Sequence, residues 1–421
     1  MIKSIPLITT LGITCVGGFV LAHKDAEKST TLVAAKTDTL RSSGTARAWA
    51  QSTSDIPVDE KVVYGTLENG MRYIIQKNPR PKKRVSMRLH VDAGSLNEAD
   101  NQRGIAHFLE HMVFNGTKHY PDATKLIPQM QRLGIAFGAH ANAYTSFDET
   151  VYMLDLPNID KSTLELGFAV MGDFADGALL ENSEIDEERG VISSEKTSRD
   201  SVGLRMFEKQ FSALLPNSII PKRLPIGTDE VIAKAPRERF VDFYTRFYTP
   251  EKMTFVYVGD LDEATAEQHI RDTFGSIKNP NNPGPKANLG DISSPKGFNV
   301  SVFTDKELTS TELTLIHTRP HSYKTDSKSK RLESLKLNIA NAIINRRFSR
   351  LAKEEGAVIT SGAASHSVFM RDLELGSFDI TALNNDWKTA LPVLENEFRR
   401  ALLFGFTQSE YKEVVAEIIH A

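Results

Sequence analysis

The chain has 421 residues, of which 40% are hydrophobic and 25% are charged. These values are typical of a globular protein with two or three domains. The formal net charge of −3 gives no electrostatic support for a nucleic-acid partner. Cys15 is the sole cysteine, so the chain cannot form an intramolecular disulfide.

The N-terminus, residues 1–22, is a predicted secretory signal peptide. Lys3 precedes an uncharged, largely apolar run, and Val20 and Ala22 lie at the positions that a signal peptidase recognises. An uncleaved membrane anchor is the alternative, since the run approaches the length that spans a bilayer. Glycines and threonines weaken that alternative, and the residues ahead of Cys15 do not favour lipidation. We therefore expect a periplasmic protein with no stable membrane span after cleavage.

Residues 23–57 are rich in Ser, Thr, Ala and charge, and predict a flexible spacer. Residues 58–278 predict a first α+β domain, which opens with two short strands joined by Asn69-Gly70, a hairpin signal. Apolar and polar residues alternate over 84–91, which predicts a third strand. The predicted elements are strands 62–67, 71–76, 84–91 and 253–258, two strands within 135–155, and helices 103–117, 122–133, 160–180, 184–200, 206–215, 236–248 and 264–274.

A linker is predicted over 279–296, because this stretch combines four prolines with several asparagines and glycines. Residues 297–421 predict a second α+β domain. Because the sequence stops inside an amphipathic helix with no closing strand, we expect this second domain to be incomplete. Its predicted elements are strands 313–317, 358–365 and 373–382, and helices 327–355, 387–403 and 408–421.

The helix predicted over 103–117 carries the pattern H-x-x-E-H, formed by His107, Glu110 and His111. Residues four apart stack on one helical face, so both imidazoles can reach one ion, and Glu110 shares that face. Two nitrogen ligands beside a carboxylate can bind Zn²⁺ and deprotonate its water, but such a site needs a third protein ligand. Helix 184–200 offers several glutamates, and Glu188 and Glu195 are seven apart on one face.

Five segments occur in the order seen in pitrilysin-type metallopeptidases: HFLEHMVFNGT, FGAHANAYTSFDETVYMLDLP, EERGVISSEKTSRD, RLPIGT and FYTPEKMTFVYVGD. The chain resembles this inverzincin family, which includes insulin-degrading enzyme and the mitochondrial processing peptidase. The resemblance implies that His107, His111 and Glu195 bind a catalytic Zn²⁺. It also implies that Glu110 is the general base and that Glu188 orients a ligand histidine.

In this family the substrate adds as a strand to a sheet edge. The stretch 139–145 matches that edge, and Asn142, Ala143 and Tyr144 are the expected contacts with the peptide. Judged from the residues alone, an ordinary sheet strand is the alternative for this stretch.

The resemblance implies an α+β fold of two similar domains, each a mainly antiparallel sheet packed with helices. The expected activity is zinc-dependent endopeptidase hydrolysis of peptides or unfolded polypeptide segments, with water activated by zinc and by the Glu110 base. Because family members enclose substrate between two halves, we expect a second half or a partner subunit. The alternative is a non-catalytic peptide-binding or scaffolding subunit of a two-chain complex, although such subunits typically lose the zinc residues that this chain retains.

Overall fold

The computed structural model describes residues 40–41 and 49–420, which form two compact units. The predicted signal peptide, and spacer residues 23–39 and 42–48, lie outside the described residues. No described helix combines the length and apolar character needed to cross a membrane. Unit 1 comprises residues 40–41, 59–188 and 233–284; unit 2 comprises 49–58, 189–232 and 285–420.

Runs of strands and runs of helices follow one another along the chain, and the fold is α+β, as the sequence predicts. The strands are β1 (Leu40–Arg41), β2 (Val62–Thr66), β3 (Arg72–Lys77), β4 (Val85–Val91), β5 (Ala141–Thr145), β6 (Thr150–Leu156), β7 (Met253–Gly259), β8 (Glu312–Pro320), β9 (Ile359–Phe369) and β10 (Leu373–Ala382). The helices are α1 (Ile105–Asn115), α2 (Ala123–Arg132), α3 (Lys161–Asp176), α4 (Asn182–Arg199), α5 (Val202–Leu214), α6 (Asp229–Lys234), α7 (Arg237–Phe247), α8 (Glu263–Phe274), α9 (Lys328–Leu351), α10 (Trp387–Phe404) and α11 (Gln408–His420).

Every predicted helix and strand has a counterpart in this set, whereas the short helix α6 and the short strand β1 are not predicted. Strand β1 lies within the predicted flexible spacer and pairs with β2. The predicted helix 160–180 ends earlier, at Asp176, because Gly177 follows and its backbone N–H closes the last turn onto Asp173 O.

The seven strands of unit 1 form one sheet in the order β1-β2-β3-β7-β4-β6-β5. The β1–β2 and β3–β7 pairs are parallel, and the other pairs are antiparallel. Strand β5 lies at one edge, where Ala141 is opposite Leu154 and Thr145 is opposite Thr150. The edge of a sheet presents backbone N–H and C=O groups that a further strand can pair with.

The two faces of this sheet differ in burial. Along β4, the side chains of Val85, Met87, Leu89 and Val91 are at most 2% exposed. These apolar side chains belong to the core of unit 1, where α3 packs on β6, α8 on β3 and α1 on β5. Because successive residues of a strand point to opposite faces, the polar residues between them, Ser86, Arg88 and His90, lie on a second face that is only partly buried. We call this second face the open face.

Unit 2 has a smaller antiparallel sheet in the order β8-β10-β9. Its core joins Ile344 and Phe348 of α9, Ala390 and Leu394 of α10, and Ile380 of β10. All five side chains are at most 4% exposed, so this unit also buries a sheet against helices.

The two units divide the chain differently from the predicted domains at two places. Residues 189–232 belong to unit 2, although the sequence assigns them to the first domain. The described end of the predicted flexible spacer is also part of unit 2. There Ser54 Oγ donates to Asp326 O at 2.7 Å, and Asp55 Oδ1 accepts from Lys328 N at 2.9 Å. These hydrogen bonds hold the segment beside the first turn of α9, a long-range pairing that its composition does not reveal.

The loop before α1 and the loop between β5 and β6 approach each other at Gly94. Ser95 N and Leu96 N donate to Ser146 O and Phe147 O at 3.1 and 2.8 Å. A Cβ at Gly94 would lie 2.7 Å from the Phe147 carbonyl and closer still to Ser146 O, both of them backbone atoms. Only glycine permits this approach without a backbone shift.

We expect Gly94→Ala to lower the free energy of unfolding by about 1–3 kcal/mol, because the added methyl group forces two backbone segments apart. Urea unfolding followed by circular dichroism would measure the change. The matched control is Gly190→Ala in α4, where nothing lies within 4 Å of the new Cβ. This control should raise stability by roughly 0.5–1 kcal/mol, since alanine is the better helix former. Equal effects of the two substitutions would contradict the steric explanation.

Candidate metal centre

Helix α1 is fixed at its first turn by a buried carboxylate. Glu98, 4% exposed, accepts hydrogen bonds from Gly104 N at 3.0 Å and Ala106 N at 2.8 Å. A negative charge at a helix N-terminus satisfies N–H groups that have no intrahelical partner and complements the helix dipole. On its flank, α1 packs against α7, where the Phe108 and Phe240 rings meet edge to face at 4.9 Å. These contacts fix the position of the histidines that follow.

His107 and His111 lie one above the other on α1, with ring centroids 4.9 Å apart. Glu195 of α4 joins them: one potential ligand atom from each of the three side chains lies within 4.8 Å of the other two. The structure thus brings together all three predicted metal ligands, although Glu195 is more than eighty residues from the histidines. Two imidazoles and one carboxylate form a donor set that suits Zn²⁺.

Glu188 connects α4 to α1 two turns before Glu195. Its Oε1 lies 2.9 Å from His111 Nδ1, and its Oε2 accepts from Asn115 Nδ2 at 2.8 Å. A neutral imidazole that donates from Nδ1 carries its lone pair on Nε2, which is the atom left for a metal. Glu195 forms an ion pair with Arg199, which lies one turn further along α4.

Glu110 is 2% exposed and lies on α1 beside the end of strand β5. Its Oε2 accepts a hydrogen bond from Thr145 Oγ1 at 2.6 Å. Nearby, the buried Tyr152 and Tyr248 hydroxyls hydrogen-bond to each other at 2.6 Å. Burial, with a contribution from the Glu110 charge, raises the pKa of both phenols, so they stay protonated. The Glu110 carboxylate is therefore held in one orientation, in a buried site with little water.

The three predicted substrate contacts lie on β5, the strand that ends beside Glu110. Ala143 is buried, whereas Asn142 and Tyr144 lie on the open face of the sheet. Tyr144 Oη donates to Glu149 Oε1 at 2.9 Å, and Glu149 Oε2 lies 3.1 Å from His90 Nε2. Ala143 can therefore contribute only backbone groups to a bound peptide, whereas the other two residues also offer side chains.

Four residues of the site escape prediction from the sequence: Glu98, Asn115, Thr145 and Arg199. Asn115 and Arg199 each lie four residues after a predicted site residue on the same helix, a spacing from which their roles could have been found. Glu98 and Thr145 contact α1 through loop and strand geometry, for which the sequence offers no local signal.

A family model described as "Insulinase (Peptidase family M16)" matches residues 73–213, and "Peptidase M16 inactive domain" matches residues 234–418. The probable zinc protease PqqL of Escherichia coli K12 is 32% identical over 360 residues, which cover 85% of this chain and 38% of that protein. The chain thus spans less than two fifths of the length of this relative.

Solved structures agree with the sequence comparison. The first half of the periplasmic protease PqqL from Escherichia coli superposes with a TM-score of 0.79 at 30% identity, covering 87% of this chain and 77% of that one. A mutant of the ferredoxin protease FusC, in complex with Arabidopsis ferredoxin, gives a TM-score of 0.74 at 27% identity, covering 85% and 39% respectively.

We expect Glu188→Gln to weaken Zn²⁺ binding about 10- to 100-fold, because the amide cannot hold His111 and Asn115 as the carboxylate does. Competition with a chromophoric chelator would measure the affinity. Glu187→Gln removes the same charge from an exposed neighbour and should leave the affinity within twofold. Equal losses in the two variants would mean that Glu188 acts only through its overall charge.

Proposed function

Because the chain belongs to peptidase family M16, the insulinase family, we propose that it is a zinc-dependent endopeptidase acting on peptides or unfolded polypeptide segments. The observation that carries the proposal is the convergence of His107, His111 and Glu195, with Glu110 beside them on α1. Family members that bind peptides without cleaving them typically lose these residues, whereas this chain keeps them all.

In the proposed site, His107, His111 and Glu195 hold the Zn²⁺. When bound, zinc polarises the scissile carbonyl and lowers the pKa of water to about 7. Glu110 takes a proton from the attacking water and passes it to the amine nitrogen as the C–N bond breaks. Thr145 Oγ1 donates to Oε2 of this carboxylate and so fixes its orientation beside the proposed metal ligands.

We propose that the substrate lies along the edge strand β5. Pairing with β6 uses half of the backbone groups of β5, and the other half point outward. Ala141 N and O already bond to Ala136 O and Gly138 N, so a peptide would pair with β5 beyond Ala141. A peptide that adds as a further strand would find affinity in its main chain and only weak sequence preference. Thr145 then connects the two parts of the site, because it ends the strand and hydrogen-bonds to the general base.

We further propose that catalysis needs a second half, either in the same polypeptide or in a partner subunit. In support, the chain covers 38% of the length of the probable zinc protease PqqL. A periplasmic location is part of the proposal, since PqqL of Escherichia coli is a periplasmic protease and residues 1–22 predict a signal peptide.

We expect Glu110→Gln to lower kcat/KM by about 10²- to 10⁴-fold, because the amide cannot accept the proton from water. Hydrolysis of a quenched fluorescent, unstructured peptide by the complete natural polypeptide would measure the rate, with bound zinc determined in parallel. The variant should retain its zinc, and Glu187→Gln should match the parent.

A Glu110→Gln rate within tenfold of the parent would refute the assignment of the general base. If the zinc-loaded parent binds the peptide but does not cleave it, the non-catalytic alternative is correct instead. A chelator should abolish hydrolysis by the parent, and added zinc should restore it.

A further inference from the structure

The loop between β3 and β4 concentrates positive charge. Lys77, Arg80, Lys82, Lys83 and Arg84 are five cations within eight residues, and all five side chains are exposed. Among the described residues, the side chains of the last four make no ion pair within 4.0 Å. Neither the proposed metal site nor the proposed hydrolysis uses this positive charge.

The backbone of this loop is nevertheless held in place at the end of β7. Lys83 N donates to Asp260 Oδ2 at 2.8 Å, and Asp260 N donates to Arg84 O at 3.0 Å. The next residue, Val85, enters β4 directly opposite Gly259. The cations are therefore presented from a fixed position at the end of the sheet.

Beside the loop lies a cleft of about 290 Å³ within unit 1. Its polar lining residues are Asn78, Arg80, Arg84, Ser86, His140 and Asp155. Two arginines thus line one small cleft, and arginine binds carboxylates through paired N–H donors.

The negative charge of Asp155, the carboxylate in the cleft, is already balanced by neighbouring groups. Asp155 Oδ1 accepts from Ser86 Oγ at 2.7 Å and from Arg88 Nη1 at 2.8 Å. Burial opposes ionisation of Asp155, but these hydrogen bonds outweigh it and lower its pKa. Since Arg88 balances this charge, Arg80 and Arg84 leave the cleft with a net positive charge.

The position of the cleft connects it to the proposed peptide-binding edge. His140 lines the cleft and directly precedes β5, whereas Thr145 at the other end of β5 hydrogen-bonds to Glu110. A strand rises about 3.3 Å per residue, so five residues separate the two ends by roughly 17 Å. Residues 136–138 already pair with the backbone of Ala141, so a peptide would pair with β5 beyond Ala141 and then pass this segment. With its scissile bond beside Glu110, such a peptide would bring a residue about five to seven positions away to the cleft.

We propose that this basic cleft binds the acidic side chains of a polypeptide substrate. It selects substrates that carry Asp or Glu about five to seven residues to one side of the cleaved bond. The proposal rests on the proposed peptidase function. A peptide carboxylate fits better than a nucleic acid, because the cleft lies beside the start of the strand along which we propose that the peptide binds.

The test is a series of unstructured peptides with one cleavage site and a block of three acidic residues placed two to nine positions away on either side. We expect kcat/KM to rise about five- to thirtyfold when the block lies five to seven positions away on one side, each exposed ion pair contributing up to about fivefold. At 1 M salt, where the screening length is about 3 Å, the preference should disappear. A rate independent of block position would overturn the proposal.

The double variant Arg80→Glu/Arg84→Glu should lower kcat/KM for the preferred peptide to the value for a peptide without the block. The control Lys61→Glu/Lys278→Glu changes the same charge at two exposed lysines of unit 1 and should keep the preference. A loss of preference in the control equal to that in the arginine variant would overturn the proposal, since it would show that overall charge decides.

A binding measurement separates this proposal from the peptidase function. In the Glu110→Gln background, fluorescence anisotropy would compare the acidic peptide, a neutral peptide and a single-stranded DNA of equal charge. We expect the acidic peptide to bind most tightly, and Arg80→Glu/Arg84→Glu to remove its advantage. Tighter binding of the DNA, weakened by the same variant, would identify the cleft as a nucleic-acid site and overturn the proposal. If the parent cleaves no peptide, the peptidase function fails while this measurement still tests the cleft.

Discussion

The contact between Glu188 on α4 and His111 on α1 is the interaction on which the candidate site depends. It brings α4 beside the two histidines, and the regular pitch of a single helix then places Glu195 with them. Asn115 occupies the other oxygen of Glu188, so the carboxylate cannot turn away from the imidazole without losing two hydrogen bonds. The proposed metal ligands, distant in sequence, are thus positioned by one partly buried polar contact rather than by an ion alone.

A second constraint couples this helix pair to the sheet. Thr145 ends the edge strand and donates to Glu110, and the close approach at Gly94 holds the loop that follows that strand. A substrate that pairs with β5 would therefore meet the general base at a fixed register. Strand β5 holds Glu110, the proposed general base, and is also the strand along which we propose that the substrate binds. One strand would therefore position both the peptide bond and the carboxylate.

Much of this arrangement is visible in the sequence, because it depends on local periodicity. Alternation predicts β4, Asn69-Gly70 predicts the β2–β3 hairpin, and helical spacing places His107 with His111. What the sequence cannot supply is pairing between distant segments that lack a periodic signal. Glu98 contacts α1 only because a turn of 3₁₀ helix precedes it, and residues 189–232 join unit 2 through tertiary contacts. The proposed third metal ligand is predictable only through resemblance to a family, since its helix offers several equivalent glutamates.

The charges on the open face of the sheet also bear on how a peptide could lie there. Glu149 lies beside Tyr144, near the end of β5 that reaches Glu110, whereas Arg80 and Arg84 line the cleft at the other end. Backbone pairing alone allows a peptide to bind in either direction, because parallel and antiparallel ladders both form hydrogen bonds with the backbone groups of the edge strand. A carboxylate at one end and two arginines at the other make the two directions unequal in energy for any charged peptide. Because surface charges of both signs nearly cancel in the whole chain, this asymmetry follows from where the charges lie on the fold and is invisible in the net charge.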